Sequence, residues 1–233
     1  MKKLFALLLA VCLVAVFAAC GNNPKFDPAA KSEGVMTHAE FLAADLDAKV
    51  TVECYVQGHQ SWWSDKITVY AQDPDGGYFL YELACSEADA QKLVPGTKIK
   101  VTGDKAVYSG EVEIMNATFE FCEGTWVAET KDLTSLIGSA DLEKHMNEKA
   151  AFKGLTVESI SYKNDEPGDD IYLTLSKDGT NMDFCVEVYL TGTDSDVYKT
   201  VGTLKAGDKV DVEAFVYWYE GPNPHITAIA PAK

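Results

Sequence analysis

One stretch of this chain occurs twice. Leu93 to Val101 (LVPGTKIKV) and Leu204 to Val212 (LKAGDKVDV) both read L-x-x-G-x-K-[IV]-x-V. Running on without a gap, Tyr108-Ser109-Gly110 falls on Tyr219-Glu220-Gly221, and Ala117 falls on Ala228. Upstream, Ile67-Thr68-Val69 falls on Ile171-Tyr172-Leu173, and Phe79 to Leu83 falls on Phe184 to Val188. Matches in one order along the whole length mark a duplicated unit, so whatever one half folds into, the other must fold into as well. The duplication divides the mature chain into two domains of one fold, 36–128 and 129–233.

Within each unit the apolar residues alternate, which sets the period of strands. A leader helix comes first (Thr37 to Ala44; Leu133 to Glu148). A long strand follows (Val50–Gln57; Ala151–Ser159), then two more (Ile67–Gln72 and Tyr78–Ala84; Ile171–Ser176 and Asp183–Leu190). Asp73-Pro74-Asp75-Gly76-Gly77 and Lys177-Asp178-Gly179 are turn chemistry between the second and third strands. A short helix opens at Ser86, with Asp89 placed to complete its cap, and its counterpart opens near Thr193 or Asp194. Two strands close the unit. Three strands, a helix and two strands in this length is the order of an OB-fold. The predicted fold class is therefore mainly β with short helices, as two tandem OB-fold-like five-stranded barrels.

The N-terminus is built for export. Lys2 and Lys3 precede an apolar run from Leu4 to Phe17, and Ala18-Ala19 stand before Cys20. The run is too short for a spanning helix, which needs about 20 apolar residues, and it reads as a signal peptide at 1–19. Phe17-Ala18-Ala19-Cys20 resembles the bacterial lipobox, with Phe17 where Leu is commoner. The resemblance makes Cys20 the lipidated residue and places the protein on the extracytoplasmic face of the cell membrane. Gly21 to Gly34 is too poor in large apolar residues to pack and reads as a flexible tether.

The formal charge is −16, there is no Arg, and loss of Lys2 and Lys3 deepens the charge to −18. Nucleic-acid affinity comes largely from basic residues on phosphates, so the composition argues against a nucleic-acid partner. Four cysteines remain after processing, none in a CxxC pair. Cys54 with Cys122 is the disulfide expected within one domain, with buried free thiols the competing state.

Gln57-Gly58-His59-Gln60-Ser61-Trp62-Trp63, Gly110-Glu111-Val112-Glu113-Ile114 and Tyr217-Trp218-Tyr219 complete the picture. With these phrases the chain resembles tandem OB-fold lipoproteins of uncharacterised function from Clostridia-like bacteria. The resemblance implies a fold and a location, and it brings no catalytic residues.

OB barrels usually bind ligands on the outer face of strands two and three. Alternation sends Ile67, Val69, Phe79, Tyr81 and Leu83 inward, and Tyr70, Tyr78 and Glu82 outward. In the second unit Ile171, Leu173, Phe184, Val186 and Val188 go in, and Tyr172, Glu187 and Tyr189 go out. The candidate ligand-binding set is Trp62, Trp63, Tyr70, Tyr78, Tyr108, Tyr172, Trp218 and Tyr219, because a rigid aromatic face offers area to a sugar or peptide at little entropic cost. His59 and His225 read as ordinary surface or packing histidines. The acidic run Asp165 to Asp170 lacks the spacing of a calcium loop. No nucleophile elbow, zinc motif or phosphate loop occurs, and neither a catalytic residue, a metal nor a cofactor is expected. The function expected is a membrane-anchored, non-enzymatic binding module for a small molecule, glycan or peptide. An adaptor docked on another envelope protein is the alternative, and an enzyme the third reading.

Overall fold

The structure, a computed structural model, describes residues 26–232; the signal peptide, Cys20 and the start of the tether lie outside the described residues. The first unit runs α1 (His38–Ala43), β1 (Lys49–His59), β2 (Lys66–Asp73), β3 (Gly76–Ala84), α2 (Glu87–Ala90), β4 (Thr97–Tyr108) and β5 (Glu111–Thr125). The second runs β6 (Lys131–Asp132), β7 (Lys149–Tyr162), β8 (Ile171–Lys177), β9 (Thr180–Val186), α3 (Val188–Thr191), α4 (Asp196–Val201), β10 (Lys209–Phe215) and β11 (His225–Pro231). The first closes as β1-β2-β3-β5-β4 with β4 returning to β1. The second repeats that order as β7-β8-β9-β11-β10, closed by β10 on β7, with β6 added along β7. In both, the third and last strands are parallel neighbours. This is the OB-fold order, so the chain is mainly β and carries two tandem OB-like barrels.

The repeated stretch supplies the fourth strand of each barrel. Ile99 and Val101 in one, Val210 and Val212 in the other, are buried in their barrel cores. The glycine that the two copies share turns the chain into that strand at φ +94 (Gly96) and +92 (Gly207), a conformation that side chains disfavour. α1 begins where Thr37 and Glu40 cap each other reciprocally. Among the described residues no helix is long and apolar enough to cross a membrane.

Several expectations are corrected. Leu133 to Glu148 is not one α-helix: β6 ends just before it, and it forms two short 3-10 helices, Thr134–Leu136 and Ala140–His145, separated at Gly138, whose φ is +80. The strand expected at Asp183–Leu190 ends at Val186, where Glu187 caps α3. The tether is not free along its whole length. Lys31 pairs with the buried Asp73 and donates to the Glu53 carbonyl, and Phe26 meets the Tyr55 ring edge-on at 6.4 Å. A buried carboxylate can recruit a lysine from a polar segment that composition alone reads as loose.

The Cys54–Cys122 disulfide is absent; all four cysteines described are free. Cys54 sits opposite Ile99 on β4, and Ile99 sits opposite Phe121 on β5. The two cysteines are therefore two strands apart, about 10 Å, beyond the Cα separation that a disulfide tolerates. Cys54 is fully buried in the barrel core, and burial pushes its thiol well up.

Candidate binding site

Alternation along β3 is broken by one residue. Ile67 pairs with Leu83 and Val69 with Leu80, so β3 spends three residues where β2 spends two. The extra residue is accommodated at Tyr81–Glu82, where Glu82 takes φ +47 and donates its backbone N–H to the Thr68 hydroxyl. The bulge reverses the facing expected from sequence. Tyr78, not Phe79, enters the barrel core, and its hydroxyl donates to Asp73 Oδ2 at 2.7 Å. Phe79 and Tyr81 leave the barrel instead. For the same reason Phe79 and Phe184, aligned in the repeat, point to opposite sides: Phe184 is a core residue of the second barrel.

The outer face of β2 and β3 is covered by the second barrel around Tyr70 and Phe79. Tyr70 leaves its own barrel as expected but is fully buried by the second barrel. Phe215 of β10 stacks on its ring at 4.6 Å with 10° between planes, and Phe79 packs beside it at 5.1 Å. Tyr217 meets Phe79 at 5.2 Å and His225 at 4.2 Å. Burial lowers His225 to about 3 and raises Tyr70 well above the usual phenol range. The imidazole is thus neutral, and its Nδ1 shares a hydrogen bond of 2.5 Å with the Tyr70 hydroxyl. Gly58 permits this approach, since a Cβ there would stand 3.0 Å from the Phe215 ring.

Polar groups extend the seam between the barrels. Glu111 of β5 is fully buried, accepting from Asn147 Nδ2 at 2.5 Å and from the Trp218 backbone N–H at 2.8 Å. Burial, the largest effect, raises its carboxyl to about 8. The duplicated Tyr-x-Gly turns meet here: the Glu220 N–H donates to the Ser109 carbonyl at 2.7 Å, and the Tyr108 and Tyr219 rings lie 6.1 Å apart. Both tyrosines remain exposed.

The other candidates separate as follows. Trp62 is half-buried against the first barrel core and donates its indole N–H to the Cys85 carbonyl at 2.8 Å. Trp218 packs on the second core and presses on Gly110 of the first unit. Tyr172 is exposed on β8 of the second barrel. Trp63 is 77% exposed. It stands over a cleft of about 410 Å³ lined also by Tyr81 from the first barrel, Tyr189 from the second, and by Gln60, Ser61 and Thr68. The Ser61 N–H donates to the Tyr189 carbonyl at 2.7 Å, tying the two walls together. Sequence reasoning missed Tyr81 and placed Tyr189 outward without a partner. Among the described residues no three metal-ligating side chains converge, and Asp169 and Asp170 in the acidic run are held by Lys163.

No protein-family model and no curated protein matches the chain. Solved structures resemble it in fold. A murine DNA-binding protein bound with double-stranded DNA aligns over 78% of this chain and 96% of its own, at 13% identity and TM-score 0.39. A HINa domain in complex with double-stranded DNA aligns over 80% and 100%, at 12% identity and TM-score 0.35. A replication protein A heterotrimer bound to single-stranded DNA aligns over 79% and 49%, at 12% identity and TM-score 0.32. These likenesses concern fold alone. Two of these neighbours are bound to double-stranded DNA, and the exclusion of nucleic acid drawn from composition is withdrawn. Net charge sums a whole chain, whereas phosphate contacts depend on where its lysines lie, and the exclusion does not stand.

Proposed function

We propose that this chain is an exported, non-enzymatic lipoprotein, held at the extracytoplasmic face of the cell membrane through Cys20, that binds a saccharide in the cleft under Trp63. The observation that carries the binding reading is a single indole, 77% exposed, over a cleft with one tyrosine from each barrel. Leaving so large an apolar face in water has a cost that a ligand would recover. The aromatic walls suit the C–H faces of a sugar ring, and Gln60, Ser61, Thr68 and the Lys66–Glu82 pair offer donors and acceptors to its hydroxyls.

The test is a fluorescence titration of the full chain against di- to hexasaccharides. A saturable change in tryptophan emission is the expected result, with the affinity measured by calorimetry weakened at least about tenfold by Trp63→Ala. Absence of a saturable response to every saccharide would overturn the reading. Location is tested separately by mass spectrometry of protein extracted from membranes. The expected N-terminus is a Cys20 carrying diacylglycerol on sulfur and an acyl chain on its amine. An intact Met1, or an unmodified Cys20, would sink the anchor.

A further inference from the structure

Glu113 lies two residues beyond Glu111 on the same outward face of β5, and its side chain is 4% exposed. Its directly paired neighbours are Phe79 on β3 and Ala106 on β4, neither of which can donate a side-chain hydrogen bond. Among the described residues no donor and no cation reaches its carboxylate; burial is the one influence on it, and raises it to about 7. Glu111, by contrast, has two donors. A largely buried carboxylate with no protein partner is costly, and proteins keep few of them without a use.

The groups around it are aromatic. Tyr81 follows Phe79 along β3, with rings 6.4 Å apart. Tyr217 covers Phe79 from the second barrel. Burial is the chief cause that raises both phenols, with smaller contributions from Glu113 and from Tyr108, which is paired with Glu111 at the end of β4. Tyr108 is 56% exposed and Tyr81 37% exposed, so solvent reaches both rings. Lys66, near Tyr81, is already bound to Glu82 at 2.5 Å and does not fill it.

We infer that Glu113 with Tyr81, Tyr108 and Tyr217 forms a binding site for an organic ammonium group, the carboxylate supplying the counter-charge and the three rings the cage. The chemistry selects that class. Calcium wants six to eight oxygens, and one carboxylate cannot supply them. An alkylated ammonium is weakly hydrated, needs no set of oxygen ligands, and gains from each aromatic face it meets. A chain of net charge −16 attracts such cations from solution. The inference does not rest on the saccharide reading, although Tyr81 borders both places.

The full chain is titrated with tetramethylammonium chloride at constant ionic strength, sodium chloride being the replaced salt, and binding is followed by calorimetry and by saturation transfer to the N-methyl protons. One saturable site per chain is expected. Glu113→Gln should weaken it at least about tenfold, and Tyr108→Ala should weaken it measurably. Glu113→Gln keeps the side-chain shape and removes a buried charge, so folding is not at risk; near-ultraviolet circular dichroism checks it. No saturable binding, or an affinity unchanged in folded Glu113→Gln, would overturn the site.

Discussion

Phe215→Ala is expected to destabilise the chain by about 3–5 kcal/mol, the range for emptying a buried aromatic position, and to uncouple the two barrels. Phe215 is 3% exposed and belongs to β10 of the second barrel, yet its ring spends its face on Tyr70 of the first. A stacked pair is worth something beyond its area, roughly 0.5–1.5 kcal/mol. The truncation would also let water reach the Tyr70–His225 hydrogen bond, which is buried at both ends. Neither barrel loses a residue of its own large core cluster, since Phe215 falls in the separate cluster with Tyr70 and Phe79. The damage should therefore fall on docking rather than on either barrel. Scanning calorimetry is the measurement: one cooperative transition in the native chain, and two resolved, lower transitions in the variant. A single transition displaced by less than a degree or two would refute the account of the seam.

The strand order was legible because the sequence states it twice; Leu93–Val101 and Leu204–Val212 agree on where the fourth strand lies. Facing was legible only where alternation runs unbroken. Along β2 it does, and Tyr70 leaves its barrel as read. Along β3 the bulge at Tyr81–Glu82 inserts one residue, and nothing in Gly76 to Ala84 announces a glutamate at positive φ. Tyr78 and Phe79 were exchanged for that reason. The segment Leu133 to Glu148 had helix-compatible spacing, but Gly138 and the Ser139 cap divide it into two short 3-10 helices.

Burial of the outward face was the part beyond reach. Glu111-Val112-Glu113 alternates plainly, and both glutamates can be read as facing away from the core. That they are buried depends on where the second barrel sits, which is decided by the fit of Phe215, Tyr217 and Trp218 against the first. A sequence of two repeats specifies each barrel locally. It specifies their docking only through many weak contacts between distant residues. The candidate aromatic set was accordingly sound as a list of large, chemically capable side chains, and it did not separate Trp63, left in water, from Tyr70, buried in the seam.

Thermal stability is expected to fall as pH rises from about 5 to about 8, and Glu111→Gln to flatten much of that fall. Glu111 is raised from 4.5 to about 8 in the folded chain, and Glu187, also in the seam region, from 4.5 to about 7, each chiefly by burial. Glu113 is raised to about 7 as well. A carboxyl whose folded pKa lies above its unfolded one is held protonated by folding. Its contribution is fully present below the unfolded pKa and is lost as pH climbs through the folded value. His225 works the other way: lowered from 6.5 to about 3, it costs stability as pH drops below 6.5. Between 4.5 and 6.5 three carboxyls oppose one imidazole, so the net slope is downward with rising pH, and above 6.5 the carboxyls act alone. For Glu111, which is fully buried, the loss is on the order of 3–5 kcal/mol.

The variant carries a sharper signature than a change of slope. Glutamine offers one acceptor oxygen, and Glu111 serves two donors, Asn147 Nδ2 and the Trp218 N–H. One of them loses its partner in Glu111→Gln, a cost of about 1 kcal/mol or somewhat more. At pH 5, where the native carboxyl is protonated, the variant should therefore melt lower than the native chain. At pH 8, where the native chain must ionise a buried acid or hold its proton at a cost, the variant should melt higher. The two melting curves plotted against pH must cross. Parallel curves would mean that Glu111 does not titrate in the seam, and a native melting temperature that rises toward pH 8 would reverse the sign of the whole argument.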